Sequence, residues 1–161
     1  MKRETVYVET SVISYLCARP SRDLIIAANQ KTTRQWWDEK RSDYDCFISE
    51  LVLKESMVGN PEVAKKRIRL MLNLPVLAIT DTVAILSETI MHNAKLPVSV
   101  ENDILHIAIA AYHKIDYLLT LNCRHIANPH WQGKMLEITG NMGFTLPVLC
   151  MPHILYEGEK S

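Results

Sequence analysis

Glycine is scarce in this sequence: five occur in 161 residues, and none belongs to a GxGxxG or GxxxxGKS run. That excludes the glycine-rich loops that cradle phosphates in dinucleotide-binding and P-loop sites. Neither sign of charge is in surplus, since Lys plus Arg and Asp plus Glu both number 18. Overall charge therefore cannot steer a polyanion, and any nucleic-acid contact has to be local. Long apolar runs are missing as well. The longest, Ile104 to Tyr112 with His106 inside it, falls far short of the roughly 20 residues a membrane span needs, so a soluble protein is expected. The cysteines Cys17, Cys46, Cys123 and Cys150 are scattered without a CxxC, and the histidines form neither HExxH nor a zinc-spaced group with them. Met1-Lys2-Arg3-Glu4 leads into a strand-like run instead of a secretory signal, so reduced thiols in a cytoplasm are expected.

What is present is a regular alternation of short β-branched runs with helical spacing. Thr5 to Val8 reads as a strand, then a polar corner, Glu9-Thr10-Ser11, then a helix that Thr10 or Ser11 can cap. A long helix is expected from Leu24 to about Arg41, with Ile25, Ala28, Trp36 and Trp37 among its apolar positions and the tryptophan pair read as packing. Asp45 to Ile48 is a second strand, and Ser49 caps a helix that carries Glu50 and Glu55 and closes near Gly59. Asn60-Pro61 starts another helix, whose cluster Lys65, Lys66, Arg67 and Arg69 is either a solvated face or a phosphate contact. Pro75 to Thr80 gives a third strand, and Thr80 or Asp81 caps the helix from Thr82 to Asn93. Beyond an irregular turn from Cys123 to Pro129, a last helix is expected from Gly133 to Thr139 and an edge strand from Leu146 to Met151. Such alternation predicts a single domain, residues 1–161, of three α/β/α layers around a mainly parallel sheet.

The stretch from Val100 to Asn128 organises the rest. A helix apolar on most faces opens with Glu101 and Asp103, and the strand Tyr117 to Thr120 runs on into Asn122. Glu9, Glu55, Asp103 and Asn122 thus fall at a strand end, within a helix, at a helix start and at another strand end. Two readings follow. The acids are caps and surface groups that never meet, or topology gathers them into one pocket. There their mutual repulsion would raise their pKa values unless a hard divalent cation, Mg²⁺ or Mn²⁺, neutralised them. A cation so held can activate water and polarise a phosphate, which is phosphodiester hydrolysis. His106 is read as a satisfied core histidine, and Cys123 beside His125 as no catalytic pair. A receiver-like phosphoacceptor would want a pair of acids after the first strand, which Glu9-Thr10 does not supply.

Four segments carry a resemblance: Val6 to Ser14, Ile48 through Glu55 to Gly59, Asp103 to Ala108, and Tyr117 to Asn128. In order and spacing they resemble PIN-domain proteins, in particular VapC-type toxins. The resemblance implies a parallel sheet flanked by helices, acids that bind Mg²⁺ or Mn²⁺ to cut RNA, a small antitoxin partner, and a homodimer. It places Glu9, Glu55 and Asp103 on the family's first three acids as metal ligands, and Asn122 on a fourth catalytic position that is often Asp. It also puts Thr10, Ser11 and Thr120 on hydroxyl positions lining the pocket. Two departures stand out. The first acid is usually Asp, and Asn122 lacks a charge. They leave a second reading, a PIN-like module that binds RNA or a protein partner and cuts weakly or not at all.

Overall fold

The strand that opens the chain becomes its central one. The computed structural model describes residues 2–157; residue 1 and residues 158–161, the two ends of the expected 1–161 domain, lie outside the described residues. β1 (Thr5–Val8) is followed by α1 (Thr10–Cys17) and α2 (Leu24–Glu39). β2 (Asp45–Ser49), α3 (Glu50–Ser56), α4 (Pro61–Met71) and β3 (Val76–Leu77) come next. α5 (Asp81–Asn93), α6 (Glu101–Tyr112), β4 (Tyr117–Leu119), α7 (Pro129–Asn141), β5 (Val148–Cys150) and α8 (Pro152–Glu157) complete the described chain. The strands form one sheet in the order β3-β2-β1-β4-β5, and every pairing is parallel. The principal helix contacts fall into two sets, α1 to α4 with α8 and α5 to α7, as expected of a three-layer α/β/α architecture.

This order fixes where a site can be. The chain winds from β1 out to β3 on one side, then returns to place β4 on the other side of β1. The seam between β1 and β4 is therefore the topological switch point, where the connections leave in opposite directions and open a crevice at the carboxyl ends. Register along the seam pairs Val6 with Tyr117 and Val8 with Leu119, which puts Glu9 and Thr120 side by side just beyond it. α6 anchors this region: Ile104, Ile107, Ala108, Ile109, Ala110 and Ala111 are all buried. Each isoleucine so buried contributes about 1.5–3 kcal/mol.

Several expectations need correction. Neither Thr10 nor Ser11 caps α1; Glu9 does, because its longer side chain curls back to accept from the Ser11 N–H. α2 ends at Glu39 and a 3-10 turn, Arg41–Asp43, follows; Ile25 is 76% exposed, while Trp36 and Trp37 are in the core. β3 is only Val76–Leu77, since its outer edge has no partner to extend it. α7 begins at Pro129, four residues earlier than expected. Asn128 caps it, and proline is well suited to the first helical position. It is not the last helix either, because α8 follows β5 and packs on α2.

Candidate functional site

Glu9 is the most buried of the candidate acids, 4% exposed. Its Oε2 accepts from the Ser11 N–H, and its Oε1 accepts from the hydroxyls of Ser11 at 2.8 Å and Thr120 at 2.6 Å. The same hydroxyls also accept: Ser11 Oγ takes the Leu121 N–H at 2.8 Å and Thr120 Oγ1 the Asn122 N–H at 2.9 Å. Both carboxylate oxygens are thus satisfied, and the corner after β1 is tied to the loop after β4.

Glu55 projects from α3 toward the same corner. Its Oε1 accepts from Thr10 Oγ1 at 2.7 Å and lies 2.6 Å from His106 Nε2. His106 is buried on α6, with its Nδ1 2.5 Å from the Tyr7 hydroxyl, which in turn lies 2.8 Å from Ser49 Oγ. Ser49 Oγ meanwhile accepts from the Val52 N–H as the cap of α3. One proton arrangement satisfies every group: Ser49 donates to Tyr7, Tyr7 to His106 Nδ1, and His106 Nε2–H to Glu55. Burial alone would raise the Glu55 carboxyl, yet the His106 hydrogen bond, with that of the Thr10 hydroxyl, holds it below the usual carboxylate range. Burial above all, opposed by Ser49 and reinforced by Glu9 and Glu55, pushes the Tyr7 phenol well up, so it stays protonated.

Asp103 lies one turn before His106 on α6. Its Oδ1 accepts from Asn122 Nδ2 at 3.0 Å, and its Oδ2 lies 2.8 Å from His125 Nδ1. Asn122 Oδ1 accepts the His125 N–H at 3.2 Å, which fixes the orientation of the amide. The amide explains the absent charge: an aspartate here would set one carboxylate against another, whereas Asn122 donates. His125 stacks on Trp131, with ring centroids 5.8 Å apart and planes 11° from parallel.

No family model matches this sequence, and no curated protein does. Solved structures do. The chain matches one of VapBC2 from Rickettsia felis bound to a DNA fragment from their promoter, with a TM-score of 0.59 and 14% identity over 91% of this chain and 98% of that one. It also matches one of FitAcB from Neisseria gonorrhoeae, with a TM-score of 0.56 and 18% identity over 76% of this chain and 91% of that one. The fold is PIN-like. At these identities the likeness speaks for the backbone only.

Within this PIN-like frame the acids are joined by hydrogen bonds and, between Thr10 and Glu9, by the chain itself. The line runs from Glu55 through Thr10 to the Glu9 corner, on through Thr120 to Asn122, and so to Asp103 and His125. All the expected donors are oxygens, the chemistry a hard cation takes. The placement is another matter: among the described residues no three His, Cys, Asp or Glu side chains converge closely enough to hold a metal ion. Each carboxylate is engaged by its own protein donors, so as the side chains stand they do not form a cation cage.

The basic cluster of α4 is partly spoken for. Arg67 donates to the carbonyls of Ser56 and Val58, tying α4 to the end of α3, and Lys65 pairs with Glu62; Lys66 and Arg69 are both exposed. Two participants were not expected at the site: His106, read as a core histidine, and His125, set aside as a partner of Cys123. His106 is buried and satisfied as expected, but one of its partners is Glu55. A signal existed for it: a lone polar residue three positions after Asp103 shares that residue's helix face. His125 lies in an irregular turn, where no periodicity marks it. Among the described residues, no helix is long and apolar enough to cross a membrane.

Proposed function

We propose that this chain is a cytoplasmic ribonuclease that hydrolyses RNA phosphodiester bonds with Mg²⁺ or Mn²⁺, as the toxin of a toxin-antitoxin pair with a small antitoxin partner, and as a homodimer. The observation that carries the reading is the linked grouping of Glu9, Glu55 and Asp103 at the switch point between β1 and β4, with no lysine or arginine paired to them among the described residues. Parallel α/β sheets bind ligands at that place, and carboxylates gathered there without a lysine or arginine partner are suited to a cation. The fold shared with chains of the VapBC2 and FitAcB structures supports the partner class. The test is RNA cleavage by the wild-type chain and Asp103→Asn in Mg²⁺, Mn²⁺ and EDTA. Cleavage that needs the cation and is lost in the variant is expected; undiminished cleavage by the variant, or in EDTA, overturns the reading.

A second reading has its own support. Glu9 is fully occupied as a helix cap, and no three-ligand group exists among the described residues, as in a binding module that has given up catalysis. Calorimetric titration with Mn²⁺ separates the two, since a chain with no affinity for the ion cannot be the nuclease.

A further inference from the structure

We propose that the pocket between the end of α5 and the start of α7 is a subsite for one nucleobase and an adjoining phosphate of single-stranded RNA, a proposal that rests on the ribonuclease reading. The pocket has a volume of about 220 Å³ and is lined by Lys95, Leu96, Pro97, His130, Trp131 and Lys134, among others. That is below the roughly 300–1,000 Å³ of sites that enclose a free small molecule, so it suits one unit of a longer chain.

Its lining carries the two chemistries that single-stranded RNA offers, a flat apolar face and an anionic backbone. Trp36 and Trp37 are buried in the core, whereas Trp131 is half-buried and faces the pocket. Lys95 and Lys134 are exposed, and neither forms an ion pair among the described residues. In a chain of zero net charge, two such cations beside an indole make a local footprint for a phosphate.

The pocket also has a fixed frame and a fixed address. Lys95 takes a left-handed conformation, φ 53°, in the turn that closes α5, where its N–H reaches His92 O at 3.2 Å and the Leu96 N–H reaches Met91 O at 3.0 Å. On the other wall, Asn128 caps α7 through the His130 N–H at 3.0 Å, and the Trp131 N–H reaches Asn128 O at 3.2 Å. Trp131 stacks on His125, which holds Asp103. A base in this pocket is thus linked to Asp103 through two side chains, Trp131 and His125, which places the pocket beside the candidate acids.

The test is anisotropy titration of a fluorescein-labelled single-stranded oligoribonucleotide with the full chain in EDTA, where cation-dependent cutting is silent. Trp131→Ala should weaken binding at least about fivefold, the low end of what base stacking contributes, and Trp131→Phe should restore most of it. Lys134→Ala and Lys95→Gly should each lower the slope of log K against log salt by about 0.7, the value for one single-strand phosphate contact. Lys95→Gly keeps the test decisive if a tryptophan variant fails to fold, because glycine is at ease at that φ. Variants that bind as the wild type does overturn the subsite and leave the ribonuclease reading standing; a wild-type chain that binds no RNA overturns both.

Discussion

β1 and β4 are fastened at both ends by an acid and a threonine, and the two fastenings differ instructively. At the amino end, Asp116 Oδ2 accepts from the Thr5 N–H at 2.8 Å and from its hydroxyl at 3.1 Å, while Thr5 Oγ1 accepts the Asp116 N–H at 2.9 Å. The acid is exposed, and the whole group is a clasp. At the carboxyl end the same pairing, Glu9 with Thr120, is buried and linked to two further acids that draw in Asn122, His106 and His125. A clasp needs one acid. The carboxyl end instead links three acids through shared partners, and it is there that the proposed cation site is placed.

Removing partners at the two ends sharpens the contrast. The largest effect is expected from His106→Leu, which leaves the Tyr7 hydroxyl and one Glu55 oxygen short of a buried partner. Loss of about 2–4 kcal/mol in urea denaturation is expected, and a change below about 1 kcal/mol would mean this end is no more demanding than the other. Next comes Asn122→Asp, which exchanges a donor to Asp103 for a like charge. The metal-free chain should lose about 1.5–3 kcal/mol, and Mn²⁺ should recover more stability in this variant than in the wild type. Thr120→Val should cost about 1–2 kcal/mol and Thr5→Val no more than about 1 kcal/mol, because only the first leaves a buried carboxylate short of a donor; equal losses would erase the comparison.

The smallest effect concerns pH. Glu55 is held below its ordinary value of 4.5, so its contribution to stability is complete above that value and is lost as pH falls through the lowered one. Glu55→Gln should flatten the fall of stability with acid below about pH 4.5, as followed by circular dichroism. An unchanged slope would show that its partners do not favour the ionised form.

How much of this could be read beforehand depended on range. The alternation of strands and helices, the apolar body of α6 and the caps at Ser49 and Thr80 are local matters, set by periodicity and turn chemistry. α8 was not legible, since its six residues are too few to show a period and packing on α2 supports them. The start of α7 was misread because Asn128-Pro129 signals a turn and a helix entry equally well. At the site, the positions of the acids at element ends could be foreseen, but their partners could not. Asn122 donating to Asp103, Thr120 donating to Glu9 and His106 reaching Glu55 are set by which elements the topology brings beside one another.

Thermal unfolding followed against Mn²⁺ concentration, for the wild type and Asp103→Asn side by side, tests the central claim most directly, because an ion that binds only the folded chain must stabilise it. A melting temperature that climbs with Mn²⁺ in the wild type and stays level in the variant is the expected result. No rise in the wild type, or the same rise in both chains, would contradict the assignment of these carboxylates to a cation.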